Sequence, residues 1–178
     1  MKVDFGLELA PVCRTDLEHL RKWRNDHRVW RHCRQNDLIS DVEQEAWFAR
    51  QSADPTIKMY VVMRRVDGNL VPVGVCGLTS IDFVCRRAEL SMYIGPEHHQ
   101  KGYGREAFKL LFIHGFTNLG LHQIWIETIG THPADKLFGE LGFKPGGVRR
   151  DFYFKGGRFV DAHLYSILRD EWISLQLA

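Results

Sequence analysis

Apolar and polar residues alternate along six stretches of the chain, and this pattern predicts a sheet of mainly antiparallel strands. The predicted strands are 5–12, 58–65, 70–82, 87–95 and 122–129, with a further hairpin over 149–168. Asp67-Gly68 separates the second and third strands, and Gly156-Gly157 divides the last hairpin; both pairs favour tight turns. The pattern is antiparallel strands first, followed by alternating strands and helices.

Apolar residues three or four positions apart predict helices between these strands. The segments begin at Thr15 (with Leu17, Leu20, Trp23 and Val29), at Ser40, near Gly104 (with Phe108, Leu111, Phe112 and Phe116) and at Pro133, ending near Gly142. Ser40 and Glu43 have the spacing of a capping box. The order of elements predicts an α/β fold with a mixed, mainly antiparallel sheet flanked by helices, in a single domain over residues 1–178.

Composition is that of a globular protein without disulfides. The 178 residues are 44% hydrophobic, and the formal charge of +2 is too small to favour nucleic acid as a partner. The four cysteines show no zinc-ligand spacing, and the adjacent His98 and His99 alone do not make a metal site, so no metal is expected. No long apolar run or leader pattern occurs, so we expect a cytoplasmic protein that is not bound to a membrane.

The segment YIGPEHHQKGYGREAFKLL, residues 93–111, passes from a strand through a glycine-bearing loop into a helix. Backbone amides at a helix start lack intrahelical acceptors and stabilise anions, so this order predicts a phosphate-binding loop. Gly102 and Gly104 allow close approach of a ligand to the backbone, while Lys101 and Arg105 add positive charge.

Two other phosphate-binding motifs fit this segment less well. The P-loop string GxxxxGK[ST] is absent. Gly102, Gly104 and Ala107 satisfy the dinucleotide pattern GxGxx[G/A], and Glu127 follows Gly104 by 23 residues. However, seven residues separate Ile94 from Gly102, whereas in the dinucleotide fold the first glycine directly follows the strand.

The string HHQKGYGREA resembles the acyl-CoA loop [QR]xxGx[GA] of the GNAT acetyltransferases, with His99 where Gln or Arg is usual. The segments RRAELSMYIG, NLGLHQIWIETI, ADKLFGELGF and RRDFYFKGGRFVDAHLYSILRDEW are similar to a subgroup that contains spermidine, ribosomal-protein N-terminal and nucleotide-amino-sugar N-acetyltransferases. The resemblance covers about residues 5–172. It implies the GNAT fold and transfer of an acetyl group from acetyl-CoA to a primary amine by direct attack, and it leaves a homodimer open.

The resemblance also assigns residues. Those expected to bind acetyl-CoA are Met92 and Ile94, through main-chain groups, and His99, Gln100, Lys101, Gly102, Tyr103, Gly104 and Arg105. Glu127 is the expected catalytic base and Glu89 the second candidate. Phe138 stands where the family usually has a proton-donating Tyr, so the leaving thiolate would take its proton from water, Tyr153 or Tyr165. The family's Asn falls at Thr131 or His132. The alternative is a non-catalytic module that binds acyl-CoA.

The acceptor is predicted from charge. Basic residues cluster in the first helical region, at Arg14, Arg21, Lys22, Arg24, Arg28, Arg31 and Arg34, and in the last hairpin, at Arg149, Arg150, Lys155 and Arg158. Such a positive rim disfavours polyamines and favours an anionic or nucleotide-linked amino sugar, with Trp23, Arg24 and Arg28 in its binding site. A protein N-terminus or another small amine is the alternative acceptor.

Overall fold

The computed structural model describes residues 6–130 and 135–177. Its centre is a seven-stranded sheet with the order β1-β2-β3-β4-β5-β7-β6, in which β4 and β5 pair in parallel and the other neighbours pair antiparallel. The strands are β1 (Leu7–Pro11), β2 (Lys58–Val66), β3 (Asn69–Asp82), β4 (Arg87–Ile94), β5 (Gln123–Ile129), β6 (Lys144–Lys155) and β7 (Arg158–Leu168). The predicted mixed α/β fold is confirmed.

Helices cover both faces of this sheet. They are α1 (Leu17–Asn25), α2 (His27–Trp30), α3 (Asp41–Ala53), α4 (Tyr103–Phe112), α5 (Asp135–Glu140) and α6 (Arg169–Leu177). The main core lies between the sheet and α4, and a second core lies between α1 and the opposite face. None of the helices described here is long and apolar enough to cross a lipid bilayer.

The capping signals act as predicted, but the first helix differs from expectation. Ser40 and Glu43 form the reciprocal capping box at α3. Asp26 interrupts the predicted first helix: its backbone is extended (ψ 132°), and its side chain accepts a hydrogen bond from the Arg28 amide at 2.9 Å. An aspartate that bonds a nearby amide competes with the helical pattern. The chain therefore forms α1 and α2, and α6 is an additional helix. The predicted helix start at Pro133 lies outside the described residues.

The predicted stripe of phenylalanines is buried, although the helix that carries it changes its winding. Phe108, Phe112 and Phe116 lie in the main core. After Phe112 the chain continues as a π-helical turn over Ile113–Asn118. This turn brings Gly115 so close to β5 that a Cβ would lie 2.8 Å from Ile124 Cδ1, which explains a glycine in an apolar stripe.

β4 and β5 pair over a short length and then diverge. Their register joins Arg87–Glu89 to Gln123–Trp125, and within residues 6–130 and 135–177 no further pair is formed between them. β4 nevertheless runs on to Ile94 and β5 to Ile129. The result is a V-shaped opening. On its β4 side, residues 90–94 are not paired with β5. This opening positions the candidate site.

Candidate active site

Two carboxylates stand on the strands that border the opening. Glu89 lies on β4 and Glu127 lies on β5, and their side chains are only 10% and 2% exposed. Burying a carboxylate is costly unless it is paired and hydrogen-bonded. Partners must therefore reach these two groups from other parts of the chain.

The partners are two arginines and a tyrosine. Arg34, between α2 and α3, places both terminal nitrogens on the Glu89 carboxylate and its Nε 3.3 Å from Glu127 Oε1. Arg149 on β6 donates to Glu127 Oε2 at 2.9 Å. The hydroxyl of Tyr153, also on β6, donates to Glu127 Oε1 at 2.5 Å. We call these five residues the carboxylate cluster.

The cluster changes the acidity of its members. Burial raises the pKa of Tyr153 to about 12, and the hydrogen bond to Glu127 acts in the same direction. Burial alone would lower the pKa of Arg34, but its hydrogen bonds and ion pair with Glu89 outweigh burial, so the pKa is raised. At neutral pH the phenol therefore keeps its proton and the guanidinium keeps its charge.

The glycine loop has the backbone shape that an extended anionic ligand needs. Gln100 has a φ of 60° and Gly102 a φ of 81°, and α4 begins directly afterwards at Tyr103. The first amides of α4 consequently point out of the helix end without intrahelical acceptors. A Cβ on Gly104 would lie 3.9 Å from Ile94 and 4.0 Å from Met92, so the protein itself leaves room there. The main chain of this loop fits a pyrophosphate.

Several side chains of the loop are occupied within the protein. His99 Nε2 lies 2.9 Å from the Ile94 carbonyl oxygen, and Lys101 donates to the Glu97 carbonyl at 2.9 Å. The Tyr103 ring is buried beneath Arg64. Arg105 pairs with Glu140 of α5. The loop thus offers main-chain amides to a phosphate, with Gln100 presenting its backbone in a left-handed conformation.

The residues predicted to bind the acceptor are engaged elsewhere. Trp23 is buried in the second core and donates from Nε1 to Glu97 Oε1 at 2.8 Å. Arg24 donates to Gln35 Oε1 at 2.7 Å and lies over the Tyr93 ring, and burial lowers its pKa. Arg28 is exposed and forms a two-point ion pair with Asp26. The polar groups of these three side chains are therefore bonded within the protein.

Most of the predicted positive rim is neutralised by nearby acids. The further ion pairs of the first helical region are Arg14–Glu45, Arg21–Asp41 and Lys22–Glu18. Together with Arg28, Arg34 and Arg149, these residues no longer present free positive charge. These six pairs weaken the charge argument for an anionic acceptor, because the sequence shows the basic residues but not their partners.

The proton-donor position of the resemblance is apolar, yet a tyrosine lies beside it. Phe138 is 2% exposed, and its ring centroid lies 5.3 Å from that of Tyr165 on β7. The Tyr165 hydroxyl bonds Asp135, and its pKa is raised, by burial first and by Asp135 second. The candidate positions for the family's Asn, Thr131 and His132, lie outside the described residues.

An open cavity of about 430 Å³ adjoins the carboxylate cluster. Arg149 lines it, together with Trp125 of β5 and Tyr165 and Ser166 of β7. Because Arg149 also contacts Glu127, the cavity reaches the cluster from the β6–β7 side. Neither Glu89 nor Glu127 lines the cavity itself.

Known proteins resemble the chain over most of its length. The family model for the acetyltransferase (GNAT) domain matches residues 6–144. The spermidine N(1)-acetyltransferase of Vibrio cholerae is 27% identical over 94% of this chain and 96% of that protein, and that of Escherichia coli K12 is 27% identical over 95% and 89%. The uncharacterized N-acetyltransferase p20 of Bacillus licheniformis is 36% identical, but the match spans 56% of this chain and 57% of that protein.

The solved structures agree with this result. The Vibrio cholerae spermidine N-acetyltransferase, in a crystal structure with CoA and spermine, matches with a TM-score of 0.87 at 27% identity, over 94% of this chain and 98% of that one. The dinucleotide-binding alternative is wrong, since the glycine loop follows a diverging strand of a mainly antiparallel sheet. The chain belongs to the GNAT acetyltransferase family and is an acetyl-CoA-dependent N-acetyltransferase.

Proposed function

We propose that the acceptor is a small aliphatic polyamine, acetylated on a primary amine at the carboxylate cluster. The observation that carries this proposal is the convergence of two buried carboxylates, Glu89 and Glu127, at the opening between β4 and β5. A primary ammonium is a compact cation that carboxylates bind directly. The spermidine acetyltransferases of Vibrio cholerae and Escherichia coli, which align over nearly the whole chain, support the same acceptor class.

The main chain around the opening would hold acetyl-CoA, which supplies an acetyl group activated as a thioester. Within the described residues, β4 makes no backbone pair with β5 beyond Glu89, so main-chain groups near Met92 and Ile94 would pair with an extended arm, with the Ile94 carbonyl also in contact with His99 Nε2. The amides from Gln100 to Gly104 and the start of α4 would receive the pyrophosphate. Of the predicted cofactor residues, His99, Lys101, Tyr103 and Arg105 then act mainly by shaping the loop through their internal contacts.

Glu127 is the proposed catalytic base. The amine must be neutral to attack the acetyl carbonyl carbon, and Glu127 takes the proton that the amine loses. Glu89 adds a second negative charge that favours an ammonium group at the cluster. Tyr165, beside Phe138, donates its hydroxyl proton to the CoA sulfur as the bond between that sulfur and the acetyl carbon breaks. Tyr153 has its proton engaged by Glu127 and positions that carboxylate.

The test is a comparison of acceptors at fixed acetyl-CoA, following release of the free thiol. Spermidine, spermine and 1,4-diaminobutane represent the proposed class. A nucleotide-linked amino sugar and a peptide with a free N-terminus represent the two other acceptors that the sequence suggests. We expect the highest kcat/KM with a polyamine; a higher value with the amino sugar or the peptide would overturn the proposal.

A further inference from the structure

Arg34 covers the two carboxylates that the reaction is proposed to use. Glu89 and Glu127 are 10% and 2% exposed, whereas the Arg34 side chain in contact with both is 47% exposed. The Arg34 side chain is therefore more accessible to solvent than either carboxylate. It is also the side chain of the cluster that contacts both of them.

The hydrogen bonds leave little room for a second cation. Both Glu89 oxygens face the Arg34 fork. Glu127 Oε1 receives the Tyr153 hydroxyl and faces Arg34 Nε, while Oε2 receives Arg149. Each carboxylate oxygen offers about two acceptor positions, so Oε1 is saturated. One acceptor position remains on each of the other three oxygens, but Arg34 is the group that contacts both carboxylates, so an ammonium that bridges Glu89 and Glu127 in the same way takes its place.

The charges of the cluster lead to the same result. Two carboxylates face two guanidiniums, so the cluster is neutral overall. A neutral cluster does not attract an additional cation into a buried site, where an unpaired charge is costly. If the acceptor's ammonium replaces the Arg34 guanidinium, the cluster remains neutral.

Arg34 is placed so that its side chain can move away. It belongs to residues 31–40, which form neither helix nor strand. The two ends of this segment are fastened by the bond from the Cys33 amide to the Trp30 carbonyl and by two bonds between Asn25 and Ile39, each 2.8 Å long. Rotation of the long, half-exposed Arg34 side chain therefore does not require these anchors to open.

We propose that Arg34 occupies the place of the acceptor's ammonium group and that the acceptor binds by displacing it, which makes Arg34 a specificity-determining residue. The inference rests on the proposed function, because it requires that the amine meet Glu127. An acceptor that lacks a positive charge cannot replace Arg34 on the carboxylates. Only molecules in which the Arg34 guanidinium has withdrawn can bind the acceptor. The apparent Kd for the acceptor is therefore the intrinsic Kd divided by the fraction of such molecules.

The test measures kcat and the KM values for spermidine and acetyl-CoA in three variants. Arg34→Gln removes the resident cation and is expected to lower the spermidine KM about tenfold or more, with the acetyl-CoA KM unchanged. Arg34→Lys keeps a point charge without the planar fork and should give an intermediate spermidine KM. Arg149→Gln removes the same charge from the other side of Glu127 and should lower this KM much less.

The outcomes separate this inference from the proposed function. Acetylation of spermidine with an unchanged or raised KM in Arg34→Gln overturns the displacement of Arg34 alone. If the spermidine KM falls equally in Arg34→Gln and Arg149→Gln, the displacement of Arg34 is also overturned, because the change in net charge then accounts for the effect. Failure of every protein to acetylate a polyamine, with acetyl-CoA bound normally, overturns the proposed acceptor and this inference together. If Arg34→Gln does not fold, the spermidine KM of Arg34→Lys decides: a lower KM than wild type supports the displacement of Arg34, and an unchanged or higher KM overturns it.

Discussion

Glu127→Gln removes the proposed base while keeping the size and much of the hydrogen bonding of the side chain. Glu127 is 2% exposed and bonds Arg149 and Tyr153, so the amide stays in contact with the same groups. Without a base, the amine must arrive neutral. For an aliphatic amine with a pKa of about 10.4, about one molecule in a thousand is neutral at pH 7.4. We expect kcat/KM to fall about 1000-fold there, or about 4 kcal/mol.

The pH dependence gives the sharper readout. Below pH 10.4, the neutral fraction of the amine grows about tenfold for each unit by which the pH rises. The ratio of the wild-type kcat/KM to that of Glu127→Gln should therefore shrink about tenfold per pH unit. Thiol release from acetyl-CoA with spermidine, followed from pH 7 to 9, measures this ratio.

The matched control is Glu89→Gln, which removes the same charge from a carboxylate bonded to Arg34. Glu89→Gln should lower kcat/KM about tenfold, and its ratio to the wild-type kcat/KM should not change as the pH rises. A ratio for Glu127→Gln that stays constant with pH, or a loss no larger than that of Glu89→Gln, would refute the role of Glu127. Calorimetric titration with acetyl-CoA checks that cosubstrate binding is intact in both variants.

Three further substitutions and one control variant test the fold and the site. Gly95→Ala should destabilise the protein by roughly 1–3 kcal/mol in urea unfolding, because its Cβ would lie 2.6 Å from Trp23 Cε2. Gly139→Ala in α5, where a Cβ meets nothing within 4 Å, is the control and should be neutral or stabilising. Ser40→Ala should cost about 1 kcal/mol in the same measurement through loss of the α3 cap, and no loss would contradict the capping box. Tyr165→Phe should lower kcat about tenfold or more, and an unchanged kcat would exclude this hydroxyl as the proton donor.

The features that could be predicted from sequence are those with local causes. Alternation marks strands, and Asp67-Gly68 marks the β2–β3 turn, where both residues have positive φ. The break at Asp26 was missed because the apolar spacing from Trp23 to Val29 continues through it. The interruption comes from a polar side chain that bonds a backbone amide, which an apolar period does not record.

The two carboxylates of the candidate site could be proposed from the sequence. Their hydrogen-bond partners could not, because those partners are distant in sequence. Glu89 and Glu127 were proposed from the family resemblance, and the structure places them on two strands that run side by side. Arg34 reaches Glu89 across 55 residues from a segment without periodicity, so its sequence neighbourhood carries no sign of the contact. The anionic acceptor was predicted for the same reason: a count of arginines does not show that Arg21 meets Asp41 or that Arg149 meets Glu127.

The brief pairing of β4 with β5 also has a consequence for cohesion. In the described part of the chain, β1–β4 are joined to β5, β7 and β6 along a seam by three residue pairs between β4 and β5 and by two bonds from the His122 and Gln123 amides to the Arg86 carbonyl. A cosubstrate arm that occupied the opening beside this seam, as proposed above, would supply bonds that β4 and β5 do not make with each other, and its binding would join the two parts of the sheet. Linkage gives about 2.7 kcal/mol of added stability at a ligand concentration 100 times Kd. Hydrogen exchange at the amides bordering the seam should therefore slow when acetyl-CoA is present.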